Sequence, residues 1–279
     1  MTMTANNFTF RCLLAVVVLS PLPLGSNRPA SWSLLALAVA AVLVGWAVAV
    51  GLGWARAPVP MRRLWPVAVP FALAVAWAWM QSLTVVPVDW HHPLWREVAQ
   101  GLSGALLAGA ITLDVELTRT AIMRLLSYAG IFWLAVQLGR ERSRAREGLI
   151  VVAVAGILYA CYGLAVQLDG AETILWWDKW AYRGDLTATF VNRNSYGTYA
   201  GVGLLCCLGL FVNGLRHLWG SKLALRDHAE SVLVGSLPFL IGGSVVATAL
   251  LLSHSRGAFL STGGAMLGLM MLLAVGRVV

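Results

Sequence analysis

The sequence predicts an all-α fold, a polytopic transmembrane helical bundle of about eight spans. Three observations predict it. The 279-residue chain is 59% hydrophobic and only 11% charged, whereas soluble domains carry about a quarter of their residues charged. Its mean hydropathy is +0.77. Its apolar residues fall in repeated runs of roughly 17–25, the length a helix needs to cross the hydrocarbon of a bilayer. No internal repeat, low-complexity tract or hinge between soluble domains breaks the pattern, so one domain over residues 1–279 is expected.

The first span is short, from about Phe10 to Leu24. Pro21 and Pro23 end it, because proline has no N–H to give to a helix. With Asn27 they also stand where a cleaved signal peptide would carry small residues, so an uncleaved helix is expected. The next three spans run from about Trp32 to Trp54, Leu64 to Val86 and Ala121 to Leu138. The last four run from about Leu149 to Leu168, Tyr196 to Val212, Ser231 to Leu252 and Ala258 to Val275.

Lys and Arg accumulate in cytoplasmic loops. With eight spans, twelve of the 20 basic residues fall on one side, among them Arg56, Arg62, Arg63, the Arg140–Arg146 cluster, Arg216, Lys222, Arg226 and Arg277. Both termini are therefore expected in the cytoplasm. Orientation accounts for the net charge of +8, and no nucleic-acid interface is expected. The four cysteines lie inside apolar runs without disulfide or metal spacing and are expected as small buried hydrophobes. Three loops face outward: Pro87–Thr120, Asp169–Asn194 and the tight turn Ser253–Gly257. The middle of the first, HPLWREVAQGLSGALLAG, suits an interfacial or re-entrant helix.

Function is expected in the polar stretch YRGDLTATFVNRNSYGTYAG, Tyr182–Gly201. Arg and Asn at a helix mouth are costly near hydrocarbon and persist where they bind something. Arg183 and Arg193 from this loop, and Arg256 from the third, offer planar donor forks that match phosphate oxygens. The competing role for each is snorkelling to lipid headgroups or pairing with Asp178 or Asp185. Asn194 suits the N-cap of a helix starting near Ser195, and Asn192 is open to loop scaffolding or ligand hydrogen bonding. His254 beside Arg256 suits either a general base for a sugar hydroxyl or an interfacial polar group. Trp176, Trp177 and Trp180 fit an aromatic belt, or stacking against a sugar or prenyl chain.

The segment FVNRNSYGTYAG resembles the F-x-N-x-N segment of the bacterial O-antigen ligase and polysaccharide polymerase family, and LLSHSRGAFLS is similar to its S-R-G-A segment at a helix mouth. PLPLGSNRP and the HPLW…AGAITLD loop resemble an exopolysaccharide and O-antigen ligase-like branch. The resemblance implies glycosyl transfer on the periplasmic face of the inner membrane, in O-antigen (lipopolysaccharide) or exopolysaccharide biosynthesis. The donor is a glycan on undecaprenyl diphosphate, and the acceptor is a lipid, glycan or protein hydroxyl. It implies no metal and no other cofactor. Carried onto this chain, Arg183 and Arg256 hold the diphosphate as catalytic residues, while Asn192, Arg193, Asn194 and His254 shape the substrate pocket. Family members continue into further spans and a large outward loop with a histidine base, so a C-terminally truncated member is expected, and its enzyme status stays open. Two other readings compete: a transporter or flippase of lipid-linked saccharide, and a non-catalytic remnant or half of a split ligase.

Overall fold

The computed structural model describes residues 2–102, 108–219 and 235–275. Among them are nine α-helices and one two-stranded hairpin. The basic residues Lys222, Arg226 and Arg277 lie outside the described residues, as does the side chain of Arg216. All eight expected apolar segments are helical. Five helices are long and apolar enough to cross a membrane: Pro29–Gly51, Val115–Leu138, Arg142–Leu168, Arg193–Leu215 and Arg256–Ala274. Ala5–Leu19, Trp65–Gln81 and Leu237–Leu252 are shorter apolar helices. At about 1.5 Å per residue they reach roughly 22–26 Å, less than a bilayer core of about 30 Å.

The chain contacts divide into two compact units. The first takes Met1–Leu13 and Leu34–Leu138. It holds the start of α1 (Thr2–Leu19), most of α2 (Pro29–Gly51), and α3 (Trp65–Gln81), α4 (Pro93–Gly101) and α5 (Val115–Leu138). Proline opens α2 and α4 and stands second in α3, where a missing N–H costs nothing. α4 is the part of the expected interfacial helix that lies within the described residues, and residues 103–107 of that segment lie outside them.

Two side-chain amides fasten the α2–α3 connection of this unit. Gln137, fully buried on α5, accepts from the Val59 N–H at 3.0 Å and donates to the Val59 carbonyl at 2.8 Å. Asn6 on α1 treats Arg56 the same way, donating to its carbonyl at 3.2 Å and accepting its N–H at 3.3 Å. Each amide supplies one donor and one acceptor, which is what an irregular backbone segment lacks when it leaves a helix.

The second unit comprises Leu14–Ser33 and Gly139–Val279. Its framework is α6 (Arg142–Leu168), α7 (Arg193–Trp219), α8 (Leu237–Leu252) and α9 (Arg256–Val275). The core where they meet is built from Ala160, Tyr196, Ala200, Val246, Ala249 and Leu250, together with Leu186, Ala188 and Phe190 from the loop between α6 and α7. Small residues let the backbones approach, the usual basis of helix packing in lipid. A Cβ on Gly156 of α6 would lie 3.1 Å from the Gly203 Cα of α7. A Cβ on Gly197 would meet the Ala258 Cβ of α9 at 2.7 Å. The left-handed Gly25, φ +64°, lies under the Phe190 ring, with no room for a side chain.

The α6–α7 loop is ordered by its own hydrogen bonds. It contains the hairpin β1 (Thr173–Ile174) and β2 (Trp177–Asp178), paired Thr173↔Asp178 and Ile174↔Trp177. This is a local departure from an otherwise helical chain. Leu175 at its turn has φ 55°, and its N–H is held by the Tyr162 hydroxyl at 2.7 Å.

Candidate functional site

The site is built around the carboxylate of Asp185, whose side chain is 13% exposed. The loop bearing it is anchored by Lys179, only 3% exposed, whose Nζ donates to the Asp185 carbonyl at 2.8 Å and lies 3.7 Å from Glu172 Oε2. Glu172 Oε1 accepts the Gly184 N–H at 2.8 Å, and Gln167 donates to the Gly184 carbonyl at 3.2 Å. The next residue, Leu186, donates its N–H to the Leu252 carbonyl at the end of α8, 3.0 Å away. The loop is thereby tied to α6 on one side and α8 on the other.

Asp185 uses both oxygens. Oδ2 accepts from Arg193 Nη1 at 2.8 Å and Oδ1 meets His254 Nδ1 at 2.8 Å. The Arg193 guanidinium also lies 5.5 Å from the centroid of the Tyr182 ring, a cation–π distance. One carboxylate thus joins the start of α7 to the turn between α8 and α9.

The helix starts are capped so that the polar side chains are shared out. Asn192 Oδ1 accepts the Asn194 N–H at 2.7 Å, so Asn192 caps α7. The expectation of Asn194 as the cap is corrected by two residues: the helix begins at Arg193, and the side chain of Asn194 is left to accept from Ser255 Oγ at 2.9 Å. Ser255 in turn caps α9, its Oγ accepting the Ala258 N–H at 3.3 Å. The reversal of direction takes two residues, His254 and Ser255. Ser253 still closes α8, Ser255 opens α9, and His254 stands at φ 51°, a region non-glycine residues enter rarely.

Arg193, Asn194, His254, Ser255, Arg256 and Gly257 line one cavity of about 620 Å³, whose remaining walls are Leu250, Leu251 and Phe259. Arg256 and Gly257 are the first two residues of α9, and Arg193 and Asn194 the first two of α7. Two helix N-termini therefore reach the same space. Each has N–H groups that no intrahelical carbonyl can satisfy and the positive end of a helix dipole. Added to two guanidinium groups, this makes the polar wall a receptor for an anion. The opposite wall is aliphatic and aromatic.

Of the six expected site residues, four line this cavity: Arg193, Asn194, His254 and Arg256. Asn192 supports it from behind as the cap. Arg183 is exposed and is not among the lining residues, its Nε donating to the Lys179 carbonyl at 3.0 Å. Asp185 and Ser255, which join the loop and the two helix starts, are not evident from the sequence as site residues. The signal for Asp185 was that it is the only acid between Asp178 and Asp227. Trp176, Trp177 and Trp180 lie outside the lining. Trp176 and Trp177 stack at 4.7 Å between centroids, and Arg28 lies 4.6 Å over the Trp180 ring.

Comparison with known proteins finds no match to this chain, whether among family models, curated proteins or solved structures.

Proposed function

We propose that the cavity holds the diphosphate of a polyprenyl-linked glycan, and that the chain is a membrane glycosyltransferase of the O-antigen ligase and polymerase type. The observation that carries this is the convergence of Arg193, Arg256 and two helix N-termini on one cavity whose far wall is Leu250, Leu251 and Phe259. A prenyl diphosphate has the same division: a dianionic to trianionic head and a hydrocarbon tail. The resemblance of FVNRNSYGTYAG and LLSHSRGAFLS to that family supports the same ligand, and these two segments are the ones that meet at the cavity.

In this reading the eight apolar helices are spans, both termini are cytoplasmic, and the α6–α7 loop and the α8–α9 turn face the periplasm of a bacterial inner membrane. Sugar transfer breaks the bond between the anomeric carbon and the diphosphate, so negative charge grows on the leaving group. Arg193, Arg256 and the free N–H groups of α9 are fixed before the reaction and gain strength as that charge develops. Arg183 acts indirectly, by holding the Lys179–Asp185 loop. The acceptor hydroxyl of a lipid, glycan or protein enters from the open, polar side.

The test is surface polysaccharide in cells carrying single replacements. Arg256→Ala and Arg193→Ala are expected to lower glycan transfer by about 10–100-fold, from the loss of a charge-assisted contact of about 1.5–3 kcal/mol. Arg183→Ala is expected to have a smaller effect than either. Undiminished polysaccharide in both cavity variants contradicts the reading.

A further inference from the structure

The donor reading leaves one proton unassigned: that of the acceptor hydroxyl. We infer that His254 is the general base that takes it and that Asp185 is the residue that positions and polarises His254. The inference rests on the donor reading of the same cavity.

Three observations place His254 in this role. First, its Nδ1 lies 2.8 Å from Asp185 Oδ1. A carboxylate only accepts, so the shared proton sits on Nδ1 and the neutral ring presents an unprotonated Nε2. Second, the His254 side chain is 60% exposed and lines the cavity beside Arg256, so Nε2 is open to an incoming hydroxyl. Third, His254 is held at φ 51° in the turn between α8 and α9. Strained backbone of this kind persists where the surroundings over-determine it, and it collects at functional sites.

The charges around the ring suit the task. Asp185 faces Nδ1 from the α6–α7 loop, Arg193 comes from α7 and bonds the other oxygen of the same carboxylate, and Arg256 comes from α9. Arg193 fixes the carboxylate in place, while Asp185 stabilises the imidazolium that forms. In the step itself, the hydroxyl oxygen attacks the anomeric carbon and its proton passes to His254 Nε2. The bond from that carbon to the diphosphate oxygen breaks, and the electron pair leaves with the diphosphate, facing Arg193 and Arg256. The imidazolium then returns its proton to water or to the departing diphosphate. No oxidant, metal or co-reactant enters the balance.

Two measurements test this together. In the purified full chain labelled with ¹⁵N-histidine, the His254 ring is expected as the Nδ1–H tautomer, assigned among five histidines by its absence in His254→Asn. Asp185→Asn is expected to shift that tautomer, and a wild-type ring protonated on Nε2 overturns the proposal. In cells, His254→Asn is expected to lower polysaccharide transfer by about 10²–10⁴-fold, the usual contribution of a general base. Asn is chosen because it tolerates positive φ. Affinity of the purified variant for farnesyl diphosphate, used as the probe, is expected to stay within about twofold of wild type, since a base adds little to ground-state binding. Retained transfer, or transfer lost together with farnesyl diphosphate affinity, overturns the base role. Undiminished polysaccharide in both Arg193→Ala and Arg256→Ala overturns the donor reading first, and the base role with it.

Discussion

At the scale of single residues, the chain spends its few polar side chains as connectors. Gln137 is the clearest structural case, since its amide alone satisfies both backbone groups of Val59. Gln137→Leu removes both bonds while filling similar space, and the stranded groups each cost about 1–3 kcal/mol. We expect a lower melting temperature in detergent by thermal fluorescence, and an unchanged one would show that water replaces the amide there. Asp185 is the functional counterpart, joining Arg193, eight residues away, to His254, 69 residues away. That separation explains what the sequence could and could not disclose. Arg193, Asn194, His254 and Arg256 stand out because polar groups are rare in an apolar chain. Asp185 does not, because its role exists only once α7 and the α8–α9 turn lie side by side. The cap was misplaced for a local reason. Asn192 and Asn194 are chemically identical, and only the backbone path shows which one precedes the helix.

At the scale of elements, hydropathy locates helices well and their ends poorly. α5 begins at Val115 rather than near Ala121, and α6 at Arg142 rather than near Leu149. Hydropathy marks the apolar slab, whereas backbone hydrogen bonds continue through polar turns such as RSRAREG at the start of α6. The hairpin at Thr173–Asp178 was not legible, because two-residue strands leave no periodicity to read. Helix contact was also unreadable. Nothing in the sequence singles out Gly156 and Gly203 from the other glycines, yet they mark where α6 and α7 touch. We expect Gly203→Leu to push these helices apart and reduce the yield of folded, monodisperse protein in detergent, whereas Gly209→Leu, with open space at its Cβ, leaves that yield unchanged. Overpacking of this kind costs about 1–3 kcal/mol or more. Equal yields for the two variants would contradict the close crossing.

At the scale of the whole molecule, five helices carry the membrane assignment without qualification, and three shorter ones join them only in the proposed eight-span topology. Sidedness follows from the distribution of Lys and Arg and can be read directly. In a background lacking the four native cysteines, Trp176→Cys is expected to react with an impermeant maleimide from outside intact cells. Arg142→Cys is expected to react only after permeabilisation. The reverse pattern would put the cavity on the cytoplasmic side. The central claim is that this cavity receives a prenyl diphosphate, and direct affinity is its most immediate test. Titrated against the purified full chain, farnesyl diphosphate is expected to bind at least about tenfold more tightly than farnesol, reflecting contacts of about 1.5–3 kcal/mol to the charged head. Replacing Arg193 and Arg256 together by Ala should abolish that preference. Equal affinity for farnesyl diphosphate and farnesol in the wild-type chain, or a preference that survives the double replacement, would contradict it.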